Sequence, residues 1–70
     1  ERFLKANIND SITTIDVGKT NAFASSGTVQ IDNEKITYTG VDGTNLTGCT
    51  RGAESTSAAS HTSNDTVTQI

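Results

Sequence analysis

Apolar side chains alternate with polar ones in several short runs of this chain, and the polar partners are mostly threonine. A period of two places the apolar set on one face of an extended segment, and β-branched residues favour that pleated, half-buried surface over a helix. In residues 28–31, Val29 and Ile31 share a face; in residues 35–39, Ile36 and Tyr38 share one. Between them Asp32-Asn33-Glu34 is rich in turn formers. A two-residue turn at Asn33-Glu34 sets Asp32 against Lys35, Ile31 against Ile36 and Val29 against Tyr38, so that apolar residues meet and the flanking charges are opposite. Sliding the turn to Asp32-Asn33 puts Ile31 opposite Glu34, and the first register is preferred for that reason.

The next turn contains Val41-Asp42-Gly43, following Gly40. A two-residue Asp42-Gly43 loop pairs Thr39 with Leu46 and turns Leu46 away from the Tyr38 face. A three-residue loop, with Gly43 left-handed in a bulge, pairs Tyr38 with Leu46 instead, and side-chain parity favours it. The predicted product is a three-stranded antiparallel meander over roughly residues 28–49, with Val29, Ile31, Ile36, Tyr38 and Leu46 on one face.

Upstream, Ile15 and Val17 alternate with Thr14 and Asp16, and Asn9-Asp10 suggests a turn joining them to residues 4–8 in a further hairpin. Phe23 is placed as a plug over the open end of the core. Residues 51–65 are dominated by Ser, Thr and Ala without a sustained period, which predicts a long loop with one helical turn over 57–61. Residues 66–70 read as a last strand. The expected fold class is all-β: a small β-sandwich or partly open barrel with the meander at its centre, one domain spanning residues 1–70.

Composition thins this picture. A chain of 70 residues buries only about 60% of the surface its unfolded form exposes. Just 31% of residues are hydrophobic, with one Tyr, two Phe, no Trp and no Met, so the expected core is small and independent stability marginal. Cys49 is the only cysteine, which excludes an internal disulfide. Cys49 and His61 alone cannot supply a closed four-ligand zinc shell, so no metal and no cofactor are expected. Association, homo- or hetero-oligomeric, or membership of a longer polypeptide is left to complete the burial. The opening Glu-Arg-Phe and the final Ile70 inside an alternating run fit a piece of something longer.

A formal charge of -3 argues against a phosphate-binding surface, so nucleic acid is not an expected partner. No run approaches the ~20 apolar residues that span a bilayer, and no signal-peptide pattern opens the chain, so no membrane partner is expected either. The lone thiol fits a reducing site of assembly.

The local motifs favour structural roles. Gly18-Lys19-Thr20 echoes the end of a phosphate-binding loop, yet Thr13 stands where the first Gly is required, and a solvated turn is the better reading. Cys49 and His61 could be arranged as nucleophile and base. The sequence offers no oxyanion-donor loop, so Cys49 is read as a small buried apolar residue and His61 as fixing its loop through backbone bonds. The acids of Asp32-Asn33-Glu34 and Asp42-Gly43-Thr44-Asn45 lack calcium-loop spacing and read as turn formers. Asn9-Asp10-Ser11, Asn45-Leu46-Thr47 and Asn64-Asp65-Thr66 match the glycosylation triplet, as chance allows in so polar a chain. Arg51-Gly52 is read as a structural clamp, because an Arg fork gathers several carbonyls or one carboxylate. No catalytic, cofactor or metal residue is assigned; the structural residues are Tyr38, Gly40, Gly43, Leu46, Arg51, Gly52 and His61.

Three motifs in order carry a resemblance: Gly27 leading through a short strand and acidic turn to Ile36-Thr37-Tyr38-Thr39-Gly40, then Leu46-Thr47-Gly48-Cys49-Thr50-Arg51-Gly52, then Ala58-Ala59-Ser60-His61. Together they resemble a small module that recurs in tail, baseplate and other virion proteins of tailed bacteriophages, cyanophages included. The resemblance covers about two thirds of the chain. Ala53-Glu54-Ser55 departs from the module, which usually carries a Gly before its next Thr. The resemblance implies a structural protein of the virion, assembled in the host cytoplasm, with other virion proteins as partners and no catalytic residues to carry over. A capsid-decorating protein shares this physics. A module binding host-surface glycan is the rival from another class, since exposed Thr, Asn and Asp can bond hydroxyls; sugar sites also want an aromatic platform, and parity turns Tyr38 inward.

Overall fold

Among residues 2–70, which the computed structural model describes, the chain forms eight short strands and no helix. They are β1 (Arg2–Phe3), β2 (Ile15–Asp16), β3 (Gly27–Ile31), β4 (Glu34–Tyr38), β5 (Gly40–Val41), β6 (Asn45–Thr47), β7 (Thr50–Ala53) and β8 (Thr66–Gln69). All pairings are antiparallel and fall into two sheets, one ordered β1-β8-β3-β4-β7 and the other β2-β6-β5. This is the expected all-β fold class, consistent with a small β-sandwich or partly open barrel.

Both sheets feed one core. Val29, Ile31, Ile36, Tyr38 and Val67 come from the larger sheet, Ile15 and Leu46 from the smaller, and Leu4, Ile8, Val17 and Cys49 from connecting segments. Phe23 is partly buried against this cluster, as a plug would be. The strict alternation of buried positions along β4 reproduces the period-two reading, but its first inward position is a charged residue, Glu34.

The β3–β4 register differs from the expected one by two residues. Ile31 pairs with Glu34, Val29 with Ile36 and Gly27 with Tyr38, so the turn is Asp32-Asn33 and not Asn33-Glu34. A two-residue slip preserves parity, so the apolar face is the same in both registers and cannot choose between them. The choice is made by Glu34, which is a strand residue with buried partners. Asp32 then takes φ 53° at the first turn position, a left-handed conformation that Asp tolerates better than most residues.

The larger sheet has β8, β3 and β4 at its centre, and the edge strand β7 (Thr50–Ala53) takes the place beside β4 expected for the Leu46 strand, so residues 51–53 are strand where the long loop is expected to begin. Parity sets Leu46 opposite Tyr38 only if β4 continues through Thr39 into the turn. It stops at Tyr38, and Gly40 and Val41 instead pair with Thr47 and Leu46 in the smaller sheet. Leu46 therefore faces Val41 and Ile15, not Tyr38. Gly43 does have positive φ, +100°, in a turn closed by Asp42 N donating to Asn45 O, with Asp42 Oδ1 accepting the amides of Thr44 and Asn45.

Two further expectations change. Residues 4–8 and 15–17 do not form a hairpin: Ile8 makes a two-bond bridge to His61, while Ile15 pairs with Leu46. Asn9 still turns the chain, its Oδ1 accepting the amides of Ser11 and Ile12. Residues 57–61 carry no helical turn. The final strand is present as β8, inserted between β1 and β3.

Candidate functional site

Polar chemistry converges on Glu34. This carboxylate, at the start of β4, accepts five hydrogen bonds: from Arg51 Nε at 2.8 Å and Gly52 N at 2.8 Å on Oε2, and from Arg51 Nη2 at 2.9 Å, Ala59 N at 3.1 Å and His61 Nε2 at 2.7 Å on Oε1. Arg51 spends its remaining donors on main-chain carbonyls, those of Asn9 at 2.6 Å, Ile12 at 3.1 Å and Ala59 at 2.6 Å. The clamp read from Arg51-Gly52 thus gathers a carboxylate and carbonyls together, and it ties four segments of sequence to one another.

Burial alone would push the Glu34 carboxyl up, but the donors outweigh it. Arg51 first, then His61 and the amides of Gly52 and Ala59, hold it well below the usual carboxylate range, at about 2. A buried ion is tolerated only where partners replace its water in this way.

His61 reaches this cluster from the segment ahead of β8. Its ring is bonded to carboxylates on both nitrogens, Nε2 to Glu34 and Nδ1 to Asp32 Oδ2 at 3.1 Å. This departs from the expected role, in which the ring bonds backbone; it is the His61 main chain that bonds backbone, at Ile8. Because both nitrogens face acids, neither faces Cys49. Burial pushes the Cys49 thiol up to about 11, against a smaller opposing pull from Arg51, and Sγ lies 3.5 Å from Leu46 O.

The remaining structural residues take separate places. Tyr38 Oη sits 2.8 Å from Ala24 O and 2.9 Å from Gln69 Oε1, tying the 24 loop to β8. Gly52 needs to be glycine, since its φ is +60° and a Cβ would stand 2.9 Å from Ala58 N. Gly40 lies opposite Thr47, whose Oγ1 would be 3.0 Å from an added Cβ. Gly18-Lys19-Thr20 is a turn with Gly18 at φ +84° and Thr20 N bonded to Gly43 O.

Sequence reasoning missed Glu34, Asp32 and Asp65 as site residues. For Glu34 a signal was present: it is in phase with Ile36 and Tyr38, so an inward charge required an inward partner. Asp65, with Asp32 and His61, forms a group whose ligand-type atoms lie within 4.8 Å of one another. Separately, Arg2, Lys5 and Lys19 line a shallow groove beside Phe3, which is 51% exposed.

No protein-family model, no curated protein and no solved structure matches this chain.

Proposed function

We propose that this chain is a structural module of a tailed-phage virion, in the tail or baseplate, acting by packing against other virion proteins. The observation that supports this reading is where the three resemblance motifs meet. The acidic turn and strand supply Glu34, the second motif supplies Arg51 and Gly52, and the third supplies Ala59 and His61, and all of them are joined in the one clamp. Residues that carry the resemblance are consumed in holding the fold, as befits a scaffold element. Among the described residues the large exposed apolar side chains are Phe3, 51% exposed on the edge strand β1, and Ile70, 61% exposed just beyond the far end of β8. An edge strand bearing an exposed aromatic residue beside three cations is suited to protein contact.

The test is immunogold labelling of purified virus particles with an antibody to this chain. Label on the tail or baseplate is the expected result. Label confined to the capsid would make the module a decoration protein, and its absence from purified particles would end the virion reading.

A further inference from the structure

His61 presents both ring nitrogens to carboxylates, Nε2 to Glu34 and Nδ1 to Asp32, with Asp65 beside them. Both Glu34 oxygens already accept N–H groups of Arg51 and of main-chain amides, so Nε2 is the donor in the 2.7 Å contact to Oε1. In the neutral ring the proton is then on Nε2 and Nδ1 carries a lone pair. Nδ1 stands 3.1 Å from Asp32 Oδ2 on a side chain that is 2% exposed: a proton on Nδ1 bridges the two in the metal-free chain, and a cation takes its place when bound. The Asp65 carboxylate completes the group, oriented by bonds from Thr62 N at 3.0 Å and Thr62 Oγ1 at 3.1 Å.

We propose that His61 Nδ1, Asp32 and Asp65 bind one borderline divalent cation of the zinc type. Ligand atoms about 2.0–2.2 Å from a tetrahedral ion stand roughly 3.3 Å apart, close to the observed His61–Asp32 spacing. The buried Glu34 behind Nε2 supplies the carboxylate–imidazole support that fixes the tautomer of metal-binding histidines. The carboxylates of Asp32, Glu34 and Asp65 lie about His61 with one guanidinium, Arg51, paired to Glu34, so a divalent ion bound to the neutral ring balances the charges of the group. An imidazole ligand disfavours calcium and magnesium, which select oxygen. Asp32 is at the surface, with its side chain 65% exposed, so the ion would keep a position open to water or to a partner's side chain. Bound there, it cross-links the β3–β4 turn to the segment entering β8, which lie far apart in sequence.

The experiment takes the full 70-residue chain, stripped with chelator, and titrates it with zinc chloride by calorimetry and thermal melting. His61 ring nitrogens are followed by NMR, and Asp32→Asn and Asp65→Asn are run in parallel. One saturable equivalent, a raised melting temperature, a perturbed Nδ1 signal and roughly tenfold or greater weakening in each variant are expected. Should either variant be unstable, the Nδ1 signal of the unaltered chain decides. No binding at millimolar zinc, an Nδ1 signal that stays protonated and unmoved, or binding that both variants leave intact would overturn the site.

Discussion

Arg51 grips Glu34 side-on, with Nε 2.8 Å from Oε2 and Nη2 2.9 Å from Oε1, and the two side chains are 6% and 1% exposed. Two parallel charge-assisted bonds fix the relative orientation of β4 and β7 as well as their distance. The pair matters here because the apolar core is small, so a large share of what joins distant segments passes through this one carboxylate.

Breaking the pair from one side should therefore be severe. Removing Glu34 leaves a buried guanidinium without its counter-charge, which costs about 3–5 kcal/mol. A chain of this length has a total stability of roughly 4–10 kcal/mol at typical per-residue values. Glu34→Ala is expected to be largely unfolded, or close to it, in urea titrations at neutral pH. Arg51→Lys, which keeps the charge but loses the fork and most of the carbonyl bonds, should fall between that variant and the native chain.

Acid should unfold the protein through the same group. The Glu34 carboxyl is depressed from 4.5 to about 2 in the fold, so its contribution is fully present above the unfolded value and is lost as pH falls through the folded one. The linked stability is on the order of 3 kcal/mol. Urea midpoints measured in chelator should drop between about pH 4.5 and 2, and Glu34→Gln should flatten that drop. An unchanged acid slope in Glu34→Gln would assign it to other carboxylates.

Much of the larger sheet was legible because a period of two is a local signal. Val29, Ile31, Ile36 and Tyr38 point inward as their alternation requires. The pairing partners were less legible. The turn of the chain after Tyr38 has no periodic signature, so nothing nearby told Leu46 to join Ile15 and Val41 in place of Tyr38. The clamp was half visible, through Arg51. Its carboxylate was hidden because Glu34 doubles as a turn-former in composition, and Asp32 and Asp65 meet at His61 only once β8 is laid beside β3.

Cys49 should be unreactive in the fold. With its thiol raised from 9.0 to about 11 by burial, little thiolate is present near neutral pH, and the sulfur is shielded as well. Native protein should react slowly with iodoacetamide at pH 8 and urea-unfolded protein quickly. Since the folded chain disfavours the charged form, stability should also decline as pH rises from about 9 toward 11. Equal alkylation rates in the two states would show that the thiol is accessible without unfolding.

Two glycines with similar backbone needs should respond differently to alanine. Gly43 and Gly52 both have positive φ, +100° and +60°, but a Cβ at Gly43 meets nothing within 4 Å while one at Gly52 stands 2.9 Å from Ala58 N. Gly43→Ala should cost only the conformational strain, about 1–2 kcal/mol. Gly52→Ala adds a main-chain clash at the residue whose amide donates to Glu34, so it should cost clearly more and also weaken the acid-dependent component of stability. Paired urea titrations of the two variants at pH 7 and pH 3 separate these terms. Equal losses at both positions would mean that the 52–58 segment shifts freely and that the Gly52 amide contributes little to holding Glu34.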